Sequence, residues 1–345
     1  MIKTEKRERK YGIDLIKALA IFLVLIVHGL SSTQLVTQPL NSLPIIIAIS
    51  LRTLSMICIP LFFIIMGYLN HRYIFNRNYI YRIKPILISY FLAVSLSMIA
   101  EVSFTDANFS LSWIVSEFFN LNVSNYAWYA RMYLMFFLLI PFLNRWFKSL
   151  VNQKETQYLL FVLGITCALP AFLNPLFLEL GLNISIPAYF VQMYPLLYYF
   201  IGVYFYTHPI YIRKSRLALV SFLLIGSQVL IYTLRFSTSI PNVGMFGSYG
   251  SLINVLLSVS VFLLLIDIKL ENSIFRKLIV FISKNTFDIY LISHIFDRRI
   301  YPIYNAAIFT IDERLYYLIL PILFTLISSI VYVFFKTKLL KKYNL

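Results

Sequence analysis

Long apolar runs separated by short polar segments make up most of the sequence. Ten of these runs are close to the length of about 20 residues that an α-helix needs to cross a bilayer. The predicted transmembrane helices are approximately 13–33, 44–68, 84–103, 127–147, 157–177, 189–206, 217–235, 249–267, 277–296 and 315–336. The pattern predicts an all-α fold, a polytopic integral membrane helix bundle that forms one transmembrane domain over 1–345.

The composition agrees with this pattern. Of the 345 residues, 60% are hydrophobic and only 13% are charged, whereas soluble domains carry about 25% charged residues. The mean hydropathy is +0.80. The first apolar run is too long and too polar at its start for a signal peptide, and we expect it to be a genuine transmembrane helix.

The formal net charge of +16 indicates membrane topology rather than a nucleic-acid partner. The basic residues form short clusters between the apolar runs, and the N-terminal segment 1–12 and the tail 337–345 are both basic. With ten helices, nearly all of these clusters fall on one side. The positive-inside rule therefore predicts that both termini are cytoplasmic and that the basic clusters contact anionic lipids.

The first apolar run contains three ionisable residues, Asp14, Lys17 and His28. Eleven residues of α-helix turn through about 1100°, so Lys17 and His28 share one stripe and lie roughly 16 Å apart along the axis. Asp14 is three residues before Lys17, a spacing that allows an ion pair. Ionisable groups inside a membrane are costly and indicate a functional site. Two simpler interpretations are that Lys17 anchors the helix at the interface and that His28 is a hydrogen-bonded packing residue.

The predicted topology places two further residues at the same outer depth as His28. These are His294 in the ninth helix and Arg131 near the start of the fourth. His294 could instead be a structural residue at the outer end of its helix, and Arg131 could pair with Glu101 or Glu117. No cysteine has the spacing of a metal site, so no metal is expected.

Two further features lie at this outer side. The segment 104–126 is polar. Four aromatic residues follow at its end, and they suit either a sugar face or an ordinary interfacial belt. They are Tyr126, Trp128, Tyr129 and Tyr133.

Five segments carry a resemblance to a known family. The first helix has Lys, ten residues and then His after a basic N-terminus. The others are IPLFFIIMGYL (59–69), YIYRIKPILISYF (79–91), WYARMYLMFFLLIPFLN (128–144) and TFDIYLISHIF (286–296). In this order they resemble the membrane-bound acyltransferase-3 family, which includes the O-acetyltransferases of bacterial surface glycans. The resemblance covers nearly the whole chain.

The resemblance implies transfer of an acetyl or another short acyl group from cytoplasmic acetyl-CoA to a hydroxyl of a surface polysaccharide or lipid-linked sugar, at a bacterial cytoplasmic membrane. His28 would act as general base or as transient acyl acceptor. His294 or Arg131 would stabilise the oxyanion or position the acceptor. By its position, the polar segment 104–126 would be the best candidate for an acceptor-facing loop.

The same resemblance implies that cationic side chains at the cytoplasmic end of the helix bundle bind the phosphates of acetyl-CoA. Lys17, Arg82 and Lys84 are the candidates. The sequence departs from the family here, because Pro85 stands where a second Arg commonly follows Arg82. It also has Asp288 in place of a common Gly.

A proton-coupled glycan transporter or lipid flippase is the main alternative, since intramembrane charges and histidines are also typical of transporters. Transporters often have repeated halves, and the charged stripe of the first helix has no counterpart in the second half of the sequence. A transporter would move its substrate without consuming acetyl-CoA. A purely structural membrane subunit is a further alternative.

Overall fold

A computed structural model describes residues 9–104, 110, 112, 114–116, 126–150, 152–236 and 247–342. Within these ranges the protein is helical and has no β-strand. In chain order the helices are α1 (Tyr11–Ser32), α2 (Leu43–Ser55), α3 (Cys58–Asn70), α4 (Arg77–Tyr81), α5 (Lys84–Phe104), α6 (Ala127–Ser149), α7 (Gln153–Leu163), α8 (Leu169–Glu179), α9 (Tyr194–Thr207), α10 (Lys214–Phe236), α11 (Leu252–Leu265), α12 (Ser273–Lys284), α13 (Thr286–Ala307), α14 (Ile311–Tyr316) and α15 (Ile319–Lys342).

Six helical segments of the described chain are long and apolar enough to cross a membrane. They are Tyr11–Ser32, Leu43–Asn70, Arg77–Ser103, Gln153–Glu179, Lys214–Phe236 and Ile311–Leu340. The pair α12 and α13 makes a seventh if the two helices are one span. The prediction of an all-α, multi-pass membrane protein is confirmed. The count of ten stays a prediction, because α9 and α11 have only 14 residues each, fewer than the roughly 20 that a straight span needs.

Helix α1 lies at the centre of the bundle. It packs against α2, α3, α11, α12, α13 and α15, and Ile16, Ile21, Leu25 and Leu30 on it are almost completely buried. A helix that is apolar on nearly all sides is expected to be enclosed by other helices. The ionisable residues of α1 therefore point into protein rather than into lipid.

Helices α3 and α9 pack so closely that their backbones touch. A Cβ atom on Gly67 would overlap the carbonyl oxygen of Tyr199, and one on Gly202 would overlap that of Ile64. Small residues at helix contacts in membranes allow such close approach. The close contact holds α3 and α9 together, and α3 in turn packs against α1.

The predicted ninth helix, 277–296, is broken at Asn285. Helix α12 ends at Lys284, and α13 begins at Thr286 with its axis turned by 78°. The break has a local cause, since the Asn285 side-chain amide donates to the carbonyl oxygen of Phe281, a backbone group that the end of a helix leaves without a helical partner. The bend exposes the first turn of α13 to the interior of the bundle.

Candidate active site

One face of α13 is polar, and this face packs against α1. Tyr290, His294, Asp297 and Tyr301 recur at intervals of four, three and four residues, which places them on one stripe of a helix. All four are buried. Across from them on α1 lies His28, whose Nδ1 is 3.7 Å from Oδ2 of Asp297.

Asp297 is fixed by two hydrogen bonds. Thr325 of α15 donates its hydroxyl to Oδ1 at 2.7 Å, and Tyr126 donates its hydroxyl to Oδ2 at 2.9 Å. The residue is 4% exposed. A carboxylate this deeply buried needs such donors, and they hold Oδ2 facing the imidazole.

The His28 ring is oriented by its neighbours. It stacks on the ring of Tyr126 with the centroids 3.5 Å apart. Its Nδ1 is buried and makes no hydrogen bond to any residue that the structure describes. Hydrogen bonds of catalytic groups are often long before substrate binds and tighten in the complex. An Nδ1–H directed at Asp297 would leave Nε2 of His28 as a base.

The structure brings His28 and His294 into one cluster, as their common depth predicts. The buried His294 ring meets the Tyr126 ring edge-on, with centroids 4.8 Å apart. Tyr290 donates its hydroxyl to the backbone oxygen of Tyr126. Tyr126 therefore connects both histidines and Asp297. Arg131 is exposed on α6, five residues further along the chain.

The four aromatic residues predicted either to contact a sugar or to form an interfacial belt are buried or half-buried. Tyr126 belongs to the histidine cluster, while Tyr129 and Tyr133 line a cavity described below. Trp128 lies against Tyr249 with ring centroids 5.6 Å apart. The predicted acceptor-facing segment, 104–126, lies mostly outside the described residues.

The sequence offers two acidic partners for Arg131, Glu101 and Glu117. Glu117 lies outside the described residues, whereas Glu101 forms an ion pair with Arg298 of α13. This pair joins α5 to α13.

At the other end of α1, the ion pair predicted between Asp14 and Lys17 is replaced by another. Arg9 donates two hydrogen bonds to the Asp14 carboxylate, both of 2.7 Å, and Ser283 of α12 donates a third of 2.6 Å. The hydrogen bond to Asp14 raises the pKa of the Arg9 guanidinium. The spacing argument failed because a bidentate Arg competes better for a carboxylate than a single ammonium does.

Lys17 borders two cavities. One, of about 370 Å³, is lined by Lys17 together with Arg9, Lys10 and Tyr68. The other, of about 380 Å³, extends from Lys17 to Tyr290, whose ring centroid is 6.5 Å from that of His28. The two cavities share Lys17 and Leu69 on their walls, and Tyr290 is the residue of the histidine cluster that lines the second.

The other two predicted phosphate ligands lie elsewhere. Arg82 and Lys84 are both exposed, and the Arg82 guanidinium stacks over the ring of Tyr73 at 4.2 Å. Pro85 and Ile86 line the larger cavity, and Arg82 and Lys84 do not. Of the three predicted cations, the structure therefore places only Lys17 on the wall of this cavity.

Three residues of this region were missed from the sequence. Asp297 was not singled out from the sequence, although its spacing of three from His294 already places it on the same helical face. Thr325 gives no signal, because a single Thr in an apolar run is common. From the sequence, Lys336 is only a basic residue next to the tail 337–345, whereas it is 9% exposed and bonds to Asp288.

Comparison with known families gives one match. A family model described as an acyltransferase domain matches residues 10–333. The chain belongs to the acyltransferase-3 family. No curated protein and no solved structure matches it. The matched region of this membrane acyltransferase begins just before α1 and ends within α15, so it contains the cluster of His28, His294 and Asp297 and the cavity beside it.

Proposed function

We propose that this acyltransferase transfers an acetyl group from cytoplasmic acetyl-CoA to a hydroxyl of a cell-surface or lipid-linked glycan. The observation that carries the proposal is the pairing of His28 with Asp297 beside a cavity that starts at Lys17. A base that faces a fixed carboxylate suits acyl transfer to a hydroxyl, because it can take the hydroxyl proton as the oxygen attacks the acyl carbon. The setting is the bacterial cytoplasmic membrane.

The proposed topology gives each end of α1 its role. With ten spans and both termini in the cytoplasm, Lys17 lies at the inner end and His28 towards the outer end. The two are roughly 16 Å apart along the helix. A long, flexible pantetheine arm can cover that distance, with the cavity holding it as far as Tyr290. The nucleotide then stays at the basic end while the thioester lies beyond Tyr290, at His28.

The proposed reaction uses His28 as general base. Nε2 takes the proton of the acceptor hydroxyl as its oxygen attacks the thioester carbonyl carbon. The C–S bond then breaks, and the CoA thiolate takes the proton back from the imidazolium. Asp297 stabilises the imidazolium through Nδ1 while it exists. The products are an acetyl ester, CoA and a neutral His28.

His294 and Arg131 are the candidates for the negative charge that develops on the carbonyl oxygen. His294 is supported by its position, since its ring contacts Tyr126, which itself stacks on His28. A second route, in which His28 receives the acyl group before the acceptor does, uses the same residues.

The proposal is tested with purified protein in nanodiscs, acetyl-labelled CoA and lipid-linked or polymeric glycan. We expect release of CoA together with label in the glycan. Movement of glycan without consumption of acetyl-CoA would contradict the proposal and favour a transporter or flippase. Label from succinyl-CoA but not from acetyl-CoA would keep the enzyme class and change the acyl group.

A further inference from the structure

Two lysines on the wall of the larger cavity have no partner within the described chain. Lys17 of α1 and Lys284, the last residue of α12, both line it, and neither makes a hydrogen bond or ion pair with a residue that the structure describes. Lys17 is half-buried and Lys284 is exposed, and an enclosed ammonium such as that of Lys17 is costly unless an anion compensates it. With Lys284 on the same wall, two cations face one cavity, and an anionic ligand would pair with both.

The first turn of α13 adds to this positive region. The bend at Asn285 brings Thr286, Phe287 and Asp288 onto the same cavity wall. The first backbone N–H groups of a helix lack helical partners, and the helix dipole makes this end positive. A helix N-terminus beside two cations is a favourable place for a phosphate.

Asp288 is the one acidic side chain on the described wall of this cavity, and it is already neutralised. Its Oδ1 lies 2.5 Å from Nζ of Lys336, which also donates to Ser89 at 2.7 Å. Lys336 is buried on α15, behind this wall. Without Lys336, the Asp288 carboxylate would be left to attract the nearest remaining cations, which are those of the cavity.

We propose that Lys17, Lys284 and the N-terminus of α13 form a phosphate-binding site, and that Lys336 keeps this site available by occupying Asp288. The ligand is the diphosphate of a nucleotide-bearing thioester. The inference rests on the proposed function and deepens it, since it assigns the donor's phosphates to residues other than Arg82 and Lys84. Lys336 acts as a positioning residue, because it works through Asp288.

The site is tested by measuring the Kd of labelled CoA for protein in zwitterionic nanodiscs. Lys284→Met should weaken binding about tenfold, the range expected for loss of one charged hydrogen bond. Lys277→Met is the matched control, since Lys277 is an exposed lysine two turns earlier on α12 and does not line the cavity. Pantetheine, which carries no phosphate, should bind equally to the wild type, Lys284→Met and Lys277→Met.

The role of Lys336 is tested by a double-mutant cycle. Lys336→Met should weaken CoA binding about tenfold, and adding Asp288→Asn should restore it, because the competing carboxylate is gone. Asp288→Asn alone should bind CoA at least as well as the wild type. If Lys336→Met does not fold, the CoA affinity of Lys284→Met still tests the phosphate site, and that of Asp288→Asn still tests whether the carboxylate competes with the ligand.

Several results would overturn the inference. Unchanged CoA affinity in Lys284→Met would remove the site, and a double variant as weak as Lys336→Met would remove the role of Asp288. If Lys284→Met changed only the retention of phosphatidylglycerol, the site would bind a lipid headgroup instead. If it changed only the competition by inorganic phosphate, the site would bind free phosphate instead. A wild-type protein that binds no CoA at all would contradict the proposed function itself.

Discussion

The imidazole of His28 and the carboxylate of Asp297 face each other across the contact between α1 and α13, with Nδ1 and Oδ2 3.7 Å apart. The two residues are 269 positions apart in the sequence. Thr325 and Tyr126 hold the carboxylate from the other sides. In the proposed reaction this carboxylate has one function, which is to stabilise the positive charge that His28 acquires.

Replacement of that carboxylate tests its function. We expect Asp297→Asn to lower kcat by about 10²-fold, at the lower end of the cost of losing a general base, and to leave the KM for acetyl-CoA nearly unchanged. The pH profile of kcat should also shift, which a merely structural defect would not cause. Asp297→Glu should recover part of the rate. Asp267→Asn, at a half-exposed aspartate outside the cluster, is the control and should retain full activity.

Lys17 is expected to act in donor binding rather than in the chemical step. Lys17→Met should raise the KM for acetyl-CoA about tenfold, because it removes one charged contact with a phosphate. Lys17→Arg should keep most of the affinity, since Arg also binds phosphate. Initial rates over a range of acetyl-CoA concentrations separate the two effects. A lower kcat with unchanged KM in Lys17→Met would contradict this assignment.

Gly29 is required where α1 approaches α13 and α15. A Cβ atom there would lie 2.6 Å from the Tyr301 hydroxyl and 3.3 Å from side-chain carbons of Leu318 and Ile322. We expect Gly29→Ala to destabilise the fold by about 1–3 kcal/mol through overpacking, seen as a lower Tm. Gly226→Ala is the control, because a Cβ at Gly226 meets no atom within 4 Å. Adding Tyr301→Phe should restore part of the loss.

Asn144 joins α6 to the end of α3. Its side-chain amide donates to the backbone oxygens of Asn70 and Tyr73 at 2.8 and 2.9 Å, and its oxygen accepts from the Tyr199 hydroxyl at 2.6 Å. Asn144→Ala leaves these buried groups without partners, each at a cost of about 1–3 kcal/mol. Thermal unfolding should show a large fall in Tm for Asn144→Ala and a smaller one for Tyr199→Phe, which loses a single bond. Equal Tm values would contradict this role.

The parts of the structure that depend on local pattern could be predicted from the sequence. The apolar runs gave the positions of the long helices, and the eleven-residue spacing put Lys17 and His28 on one stripe of α1. The predicted common depth of His28 and His294 agrees with their positions in one cluster, although depth alone did not separate His294 from Arg131, which is exposed on α6. In each case the property follows from helical periodicity or from the length of a span.

The remaining features depend on packing between distant elements. Asp14 could pair with Lys17 within α1, and only the fold brings in Arg9 and Ser283 as stronger partners. The break at Asn285 is an exception, because the polar stretch SKNT (283–286) marks it within the predicted helix 277–296. Thr325 and Lys336 acquire their roles from contacts with α13, for which the sequence of α15 contains no local signal.

The rate of CoA release by the His28→Ala protein tests the central claim most directly. His208→Ala is the matched control, because His208 lies at the end of α9 and stacks on Tyr204. With acetyl-CoA and a glycan acceptor, we expect His28→Ala to lose about 10²–10⁴-fold in rate and His208→Ala to match the wild type, with both variants still binding CoA. Full turnover by His28→Ala would contradict the assignment of His28 as the base.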